Sequence, residues 1–393
     1  MKVPLLDLKL QYNSLKKELD EALLKVAESQ YFILGPEVDK MEKAFCSYLK
    51  CEYVLGVSSG TDALLIALMA IDIKPGDEVI VPAYSFFATA GVVARLNALP
   101  VFTDVDPVTF NIDPVDFEKK ITSKTKAVIP VHLYGQSCDM ESIIKIAKKH
   151  NVKIVEDAAQ AIGVQYKDGR CVGTIGDIGC FSFFPSKNLG GFGDGGLVTT
   201  NNKELAEKLK ILRVHGGHPK YYHKIIGGNF RLDAIQAAVI SVKLPHLDGW
   251  SEARRKNARL YNKFFIDAKL AEETGHISFD DKNEILLPEA IYKSEILNPK
   301  SEIPNYHIYN QYIIRTQKRN EVREFLKNNN IGTEIYYPVP FHLQECFTYL
   351  GYKKGEFPVS ESAADTSLAL PIFPELTEEQ IKYVVDKIGE FIL

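Results

Sequence analysis

The sequence predicts an α/β protein: a large domain over residues 1–245, built on a largely parallel sheet with helices on both faces, then a smaller α+β domain over 246–393. Three observations carry this. Short β-branched apolar runs alternate with helical patterns from about residue 37 to 245. Those runs are continuously apolar, as strands buried on both faces must be. At 393 residues the chain is also too long for one simple core, and its pattern changes after RLDAIQAAVISVKLPHL (231–247).

The predicted strands are EVIVPAY (78–84), AVIPVHLYG (127–135), VKIVEDAA (152–159), GCFSFF (179–184) and GGLVTT (195–200). Between them TDALLIALMAI (61–71), FFATAGVVARLN (86–97) and DMESIIKIAKKH (139–150) read as helices. Pro245 stops the helix before it, and SEARRKNARLYNKFF (251–265) begins a long one with a polar face. The stretch 270–305 reads as irregular; YNQYIIR (309–315) is then a strand and KRNEVREFLKNN (318–329) a solvated helix.

Composition narrows the function classes. Hydrophobic residues at 46% and charged residues at 25% are ordinary globular values. A formal charge of -4 offers no electrostatic reason for nucleic acid or an anionic membrane as partner. Six scattered cysteines contain no C-x-x-C pair, and the N-terminus has no apolar signal core. The expectation is a cytoplasmic protein with reduced thiols, no membrane span and no metal.

Ligand sites of parallel sheets lie beyond the carboxyl ends of the strands, so the residues after each strand hold the candidates. FSFFPSKNLGGFGDGG (181–196) contains the spacing Gly191-x-Gly193-x-x-Gly196, but a strand-like run follows it instead of a helix, so a dinucleotide fingerprint is not expected. No P-loop sequence occurs. Lys187 instead follows one apolar strand, and Asp157 ends another, thirty positions earlier. An aspartate there can serve as a helix cap; facing a lysine, it also suits pyridoxal phosphate, whose pyridine nitrogen needs a carboxylate and whose aldehyde needs an amine. SSGTDALLIAL (58–68) opens a helix with Gly60 and Thr61, either as a plain cap or as an anion site. Ser182 adds a hydroxyl, and Phe86 an aromatic plate or a core residue.

SSGTDALLIAL, VPAYSFFATA, DVDPVTFNID, PVHLYGQ, VEDAAQAIG, FSFFPSKNLGGFGDGG and GGNFRLDAIQAA, in this order, resemble the DegT/DnrJ/EryC1/StrS family of pyridoxal-phosphate-dependent sugar aminotransferases. The likeness runs from LLDLKLQY through YYPVPFH (336–342) to ALPIFPELTEEQ. It implies the type I aminotransferase fold, with a seven-stranded type of sheet, and a cofactor cycling between pyridoxal and pyridoxamine phosphate. By the same resemblance Lys187 is the Schiff-base lysine, Asp157 the partner of the pyridine nitrogen, Gln160 the neighbour of the ring hydroxyl and Phe86 the stacking ring. Gly60, Thr61 and Ser182 match phosphate-binding positions. Asn229 matches an asparagine that reaches a neighbouring subunit's cofactor, which implies a homodimer with shared sites.

The resemblance also implies an amino donor, L-glutamate, and a nucleotide-linked keto-sugar acceptor. Lysine rather than histidine at 187 implies a transaminase instead of a sugar dehydratase. Arg231, Tyr336 and Tyr337 match positions that meet diphosphate and sugar in 3-keto-sugar relatives; uronate-using relatives carry histidine where Tyr336 stands. The expected substrate is therefore a UDP-linked 2-acetamido-3-keto-hexose, in lipopolysaccharide or surface-glycan synthesis. A 4-keto-sugar (UDP- or dTDP-linked), a dehydratase and a non-catalytic regulator are the alternatives. His215, His218 and His223 lie close in sequence, but their Gly-Gly and Pro spacing reads as a loop, not a metal site. His132 reads as structural or as a more distant neighbour of substrate.

Overall fold

The computed structural model describes residues 1–272, 284–291 and 305–393. Most of the stretch expected to be irregular, 270–305, lies outside the described residues. Two helices open the chain, α1 (Leu8–Ser29) and α2 (Pro36–Leu49). The Asp7 carboxylate caps α1 by accepting from the Lys9 N–H, and Pro36 starts α2 where no N–H is needed. The alternating part follows: β1 (Tyr53–Val57), α3 (Gly60–Ala70), β2 (Glu78–Pro82), α4 (Ala88–Arg95), β3 (Leu99–Thr103) and α5 (Pro114–Lys120). It continues with β4 (Thr125–Val128), α6 (Met140–His150), β5 (Lys153–Asp157), β6 (Ile178–Ser182), β7 (Gly196–Thr200) and α7 (Lys203–Leu212).

Seven strands form one sheet in the order β1-β7-β6-β5-β4-β2-β3. Only β7 is antiparallel to its neighbours; the other pairings are parallel. The carboxyl ends of β1, β2, β4, β5 and β6 and the start of β7 consequently meet at one edge. Helix α3 is apolar all round and buries Ala63, Leu64, Leu65, Ile66, Ala67 and Leu68, as a helix enclosed by sheet and other helices must. The opposite face is covered by α2 and by α8 (Ala234–Lys243), whose apolar residues share a core with Phe181 and Phe183.

A three-residue turn, Leu244–His246, takes Pro245 in its first positions and leads straight into α9 (Leu247–Asp267). The second helix thus starts four residues earlier than its polar face indicates (Leu247 against 251), because a proline is tolerated in a first turn. The rest of the chain supplies β8 (Tyr312–Arg315), α10 (Arg319–Asn328), α11 (Pro358–Thr366), β9 (Ser367–Leu370) and α12 (Glu378–Ile392). Strands β8 and β9 pair antiparallel, and Tyr261, Phe265, Tyr312, Leu326, Leu368 and Val384 are among the residues of the core around them.

Two strands of the seven-stranded sheet carried no clear sequence signal. β1 contains Gly56, which lets Leu232 and Met41 approach closely, and β3 contains Pro100, tolerated because β3 is the sheet's edge. The strand expected over 127–135 is shorter: the continuous strand ends at Val128 before Pro130, Val131 adds a single bridge to Asp157, and Leu133–Gly135 form a tight turn with Tyr134 at φ 59°. The glycine run after Lys187 leads into strand β7, so its dinucleotide spacing is coincidental.

Candidate active site

Strand β5 is flanked by other strands and delivers Asp157, its last residue, to the carboxyl edge with only 5% of its surface exposed. The Thr89 hydroxyl donates to one carboxylate oxygen at 2.8 Å, and the Ala159 N–H donates to the other at 3.2 Å. Burial nevertheless raises the Asp157 pKa above the usual range, although both donors and the Lys187 charge oppose it. The preceding Glu156 accepts from the Gly173, Ile175 and Gly176 N–H groups and pairs with His132 Nε2 at 3.0 Å. The Cys138 N–H donates to His132 Nδ1, which leaves the ring proton on Nε2 to reach Glu156. His132 is therefore structural, tied to Glu156 behind the site.

Strand β6 runs parallel to β5, with Cys180 beside Asp157, and ends at Ser182. The chain then turns, the Lys187 N–H donating to the Phe184 carbonyl at 2.9 Å. Lys187 keeps some exposed surface, but that surface lines the cavity. Desolvation lowers its amine to about pKa 8, against the opposing pull of Asp157. The glycines after it allow close backbone contact: a side chain on Gly190 would strike the Pro185 carbonyl. Helix α8 holds this turn. Gln236 accepts from the Phe192 N–H at 2.7 Å, and the buried Lys243 amine donates to the Gly190 carbonyl at 2.7 Å.

Gly60 opens α3 at the same edge, capped by Ser59, which accepts from the Asp62 N–H. A Cβ on Gly60 would lie 2.7 Å from the Ser182 Cβ, so only glycine allows the helix start to approach that close to Lys187's strand. Free N–H groups, a favourable dipole and two hydroxyls, Thr61 and Ser182, converge on one corner of the cavity. These features fit a phosphorylated cofactor with an aldehyde. Gly60→Ala is expected to weaken cofactor binding roughly 10- to 100-fold, since such overpacking costs about 1–3 kcal/mol. Equilibrium titration of cofactor-free protein measures it.

Asp157, Lys187, Gly60, Thr61 and Ser182 line one cavity of about 420 Å³, together with Phe86, Gln160, Tyr336 and Tyr337. Phe86 is half exposed at the rim, its ring 6.0 Å from that of Tyr337. Gln160 donates to the Tyr337 hydroxyl at 3.1 Å. Of the sequence candidates, Asn229 and Arg231 do not line this cavity. Asn229 is exposed on a strand-like bridge to Val214, and Arg231 is bridged to Val57 just before the Gly60 turn.

Sequence reasoning missed Thr89, Asp194 and Gln311. The signal for Thr89 was faint: in SFFATA it stands four residues after Ser85, one helical turn, and the two hydroxyls lie 3.3 Å apart. Thr89→Val is expected to raise the Asp157 pKa further, moving the acid limb of the pH–rate profile to higher pH. Among the described residues no cluster of three His, Cys, Asp or Glu could hold a metal, and no helix is long and apolar enough to cross a membrane. His223 Nδ1 lies 2.9 Å from the His215 carbonyl, as expected of a loop.

A seven-stranded, mostly parallel sheet presenting a lysine and a carboxylate beside an anion cradle defines the class, the pyridoxal-phosphate-dependent transferases of type I fold. Within that class the chain belongs to the DegT/DnrJ/EryC1/StrS aminotransferase family, whose profile matches residues 13–389. It is a sugar aminotransferase, and its cofactor is pyridoxal phosphate. It is 51% identical over 391 residues, all of this chain and 99% of the relative, to a protein of Geobacillus stearothermophilus called "Pleiotropic regulatory protein". It is 40% identical over 379 residues, 96% of this chain and 95% of the relative, to the UDP-N-acetyl-3-dehydro-alpha-D-glucosamine 3-aminotransferase of Acidithiobacillus ferrooxidans. The crystal structure of DesV from S. venezuelae with a ketimine intermediate superposes with a TM-score of 0.89 at 39% identity, covering 99% of this chain and 98% of that one.

Proposed function

We propose that the protein transfers an amino group from an amino acid, L-glutamate in the first instance, to a UDP-linked 2-acetamido-3-keto-hexose destined for lipopolysaccharide or another surface glycan. The meeting of Lys187 and Asp157 in one cavity with the Gly60–Ser182 cradle carries the transaminase part. The Acidithiobacillus relative's name, and tyrosine rather than histidine at 336, support the sugar. The regulatory name of the Geobacillus relative does not displace enzymatic turnover, because a non-catalytic protein has no need of a desolvated lysine at this position.

Bound pyridoxal phosphate supplies an electron sink on which an amine can be detached from one substrate and attached to another. Asp157 holds the proton on the ring nitrogen, and Thr89 keeps its carboxylate aimed. Lys187 would anchor the cofactor and move a proton at the substrate carbon; a pKa of about 8 puts its free amine in the working range. Gly60, Thr61 and Ser182 hold the phosphate, Phe86 covers one ring face, and Gln160 donates to the ring oxygen. Tyr336 and Tyr337 form a wall for the sugar, and Arg231, which lies outside this cavity, would meet the diphosphate beyond it. In this reading residues 1–245 bind the cofactor and 246–393 form the smaller domain.

The same reading includes a homodimer in which Asn229 serves the neighbouring subunit. Its support is that Asn229 does not line its own cavity, and that Tyr221 and Ile226 in the same loop are 80% and 90% exposed, apolar surface that a partner would cover. Mixing inactive Lys187→Ala and Asn229→Ala subunits tests it. Shared sites restore activity, because each hybrid keeps one intact site; separate sites leave the mixture as inactive as its parts. For the substrate, incubation with L-glutamate and a panel of UDP- and dTDP-linked 3-keto- and 4-keto-sugars is followed by mass spectrometry. Amine on C3 of the UDP-acetamido sugar is expected. Amination of a 4-keto-sugar alone, or ketone loss without amine, sinks the reading.

A further inference from the structure

Behind Gln160 lies a closed set of hydrogen bonds that draws residues from distant parts of the chain together. The Tyr134 N–H donates to Gln160 Oε1 at 2.7 Å, and Gln160 Nε2 donates to the Tyr337 hydroxyl at 3.1 Å. The Tyr337 N–H donates to the Tyr84 hydroxyl at 2.8 Å. Tyr84 and Tyr134 both donate to the Tyr336 carbonyl, and their own hydroxyl oxygens are 3.2 Å apart. Tyr84 and Tyr134 are 1% and 5% exposed, so these bonds face no competition from bulk water.

Tyr134 holds this arrangement in a backbone conformation aromatic residues rarely adopt, with φ at 59°. Its carbonyl also accepts from the Asn310 N–H at 2.9 Å. A side chain held in the left-handed region by bonds at its N–H, its carbonyl and its hydroxyl is overdetermined, the usual sign of a conformation kept for function. One consequence is chemical. Because the Tyr134 N–H requires an acceptor, the Gln160 amide is turned with its oxygen away from the cavity and its NH₂ toward Tyr337. One N–H of that group is used by Tyr337, and the second remains to donate.

We propose that Tyr84 and Tyr134 are positioning residues. They fix the Tyr336–Tyr337 segment and, through Tyr337, the orientation of Gln160, so that the site presents a donor to an oxyanion on the cofactor ring and a fixed aromatic wall to the sugar. The inference rests on the reading of Gln160 as the neighbour of that ring oxygen. Charged groups around the cluster are Asp157 and Lys187 on the cavity side, Glu334 beside Tyr336, and Arg315 and Arg319 behind Tyr84. None is altered in the variants used to test it.

The holoenzymes of Tyr84→Phe, Tyr134→Phe and the double variant are titrated from acid to alkaline pH while the visible band of the bound cofactor is followed. A weaker donor leaves more negative charge on the ring oxygen, which retains the proton of the neighbouring lysine linkage more firmly. The band's midpoint is expected to move up by about half a pH unit in the single variants and further in the double variant. KM for the keto-sugar is expected to rise roughly ten-fold with a smaller change in kcat. Tyr337→Phe should reproduce the midpoint shift, and in a Gln160→Ala background the Tyr84 and Tyr134 changes should no longer move it. If the midpoint and KM stay at wild-type values while thermal stability falls, the tyrosines are only structural and the proposal is overturned. If Gln160→Ala itself leaves the midpoint in place, the underlying reading of Gln160 is wrong, and the proposal falls with it. If the double variant does not fold, the single variants decide by the same measurements.

Discussion

Lys187→Ala is expected to abolish amine transfer, by at least about 10⁴-fold, because it removes both the anchoring nucleophile and the proton shuttle. The variant should still bind pyridoxal phosphate through the Gly60–Ser182 cradle, but dialysis should remove the cofactor much faster than from the wild type. Two pH measurements on cofactor-free protein probe the cause. A buried amine with pKa about 8, against the ordinary 10.5, is half neutral near pH 8. Recombination with the cofactor should accelerate with pH only to just above that point. The folded pKa lies below the unfolded one, so between about 8 and 10.5 the unfolded chain binds more protons. Stability contributed by this group therefore rises with pH across that window, and Lys187→Ala should lose the slope. A recombination rate still climbing steadily past pH 10 would show that Lys187 is not desolvated.

Asp157→Asn is expected to lower turnover by roughly 10³-fold, in the range lost when one preorganised electrostatic partner is removed. The substitution keeps the shape and leaves a group to meet Thr89, so it removes the charge with little repacking. Two effects should appear together. The ring nitrogen loses the carboxylate that keeps it protonated, which slows proton removal from the bound amino acid more than binding itself. Lys187 also loses the one charge that raises its pKa, so the recombination plateau should move below pH 8. An Asp157→Asn enzyme within ten-fold of wild type, with the plateau unmoved, would mean that the two side chains do not act on one cofactor. Thr89→Val, by contrast, should leave turnover at its optimum nearly intact and displace only the acid limb.

Much of the site was legible in the sequence because its main groups stand at strand ends, and strand ends are local features. VKIVED announces a buried strand by its apolar run and closes on a carboxylate that cannot be left without a partner. FSFFPSK does the same for Lys187, and SSGTDALL marks a helix start by its cap. Tyr84 and Tyr134 were not legible. Their partners lie 252 and 202 positions away, and a buried tyrosine in an apolar run looks the same whether its hydroxyl meets a backbone carbonyl or water. Short strands interrupted by Gly56 and Pro100 escaped for a related reason: whether a glycine or proline breaks a strand depends on what packs against it and whether it lies at an edge.

By itself, then, the sequence determined the alternating architecture, the lysine, the carboxylate and the helix start, since hydrophobic periodicity and capping act over a few residues. Tertiary structure decided which of those residues share a cavity, that a desolvated amine and a desolvated carboxylate face it together, and that His132 turns away to Glu156. It also separated Asn229 and Arg231 from the cavity of their own chain. These outcomes depend on the order of strands in the sheet and on burial, which only the packed chain creates. The Gln160 amide makes the point on the scale of one group. Its composition allows two orientations, and a single N–H from a strained tyrosine 26 positions away selects the one that offers a donor to the site.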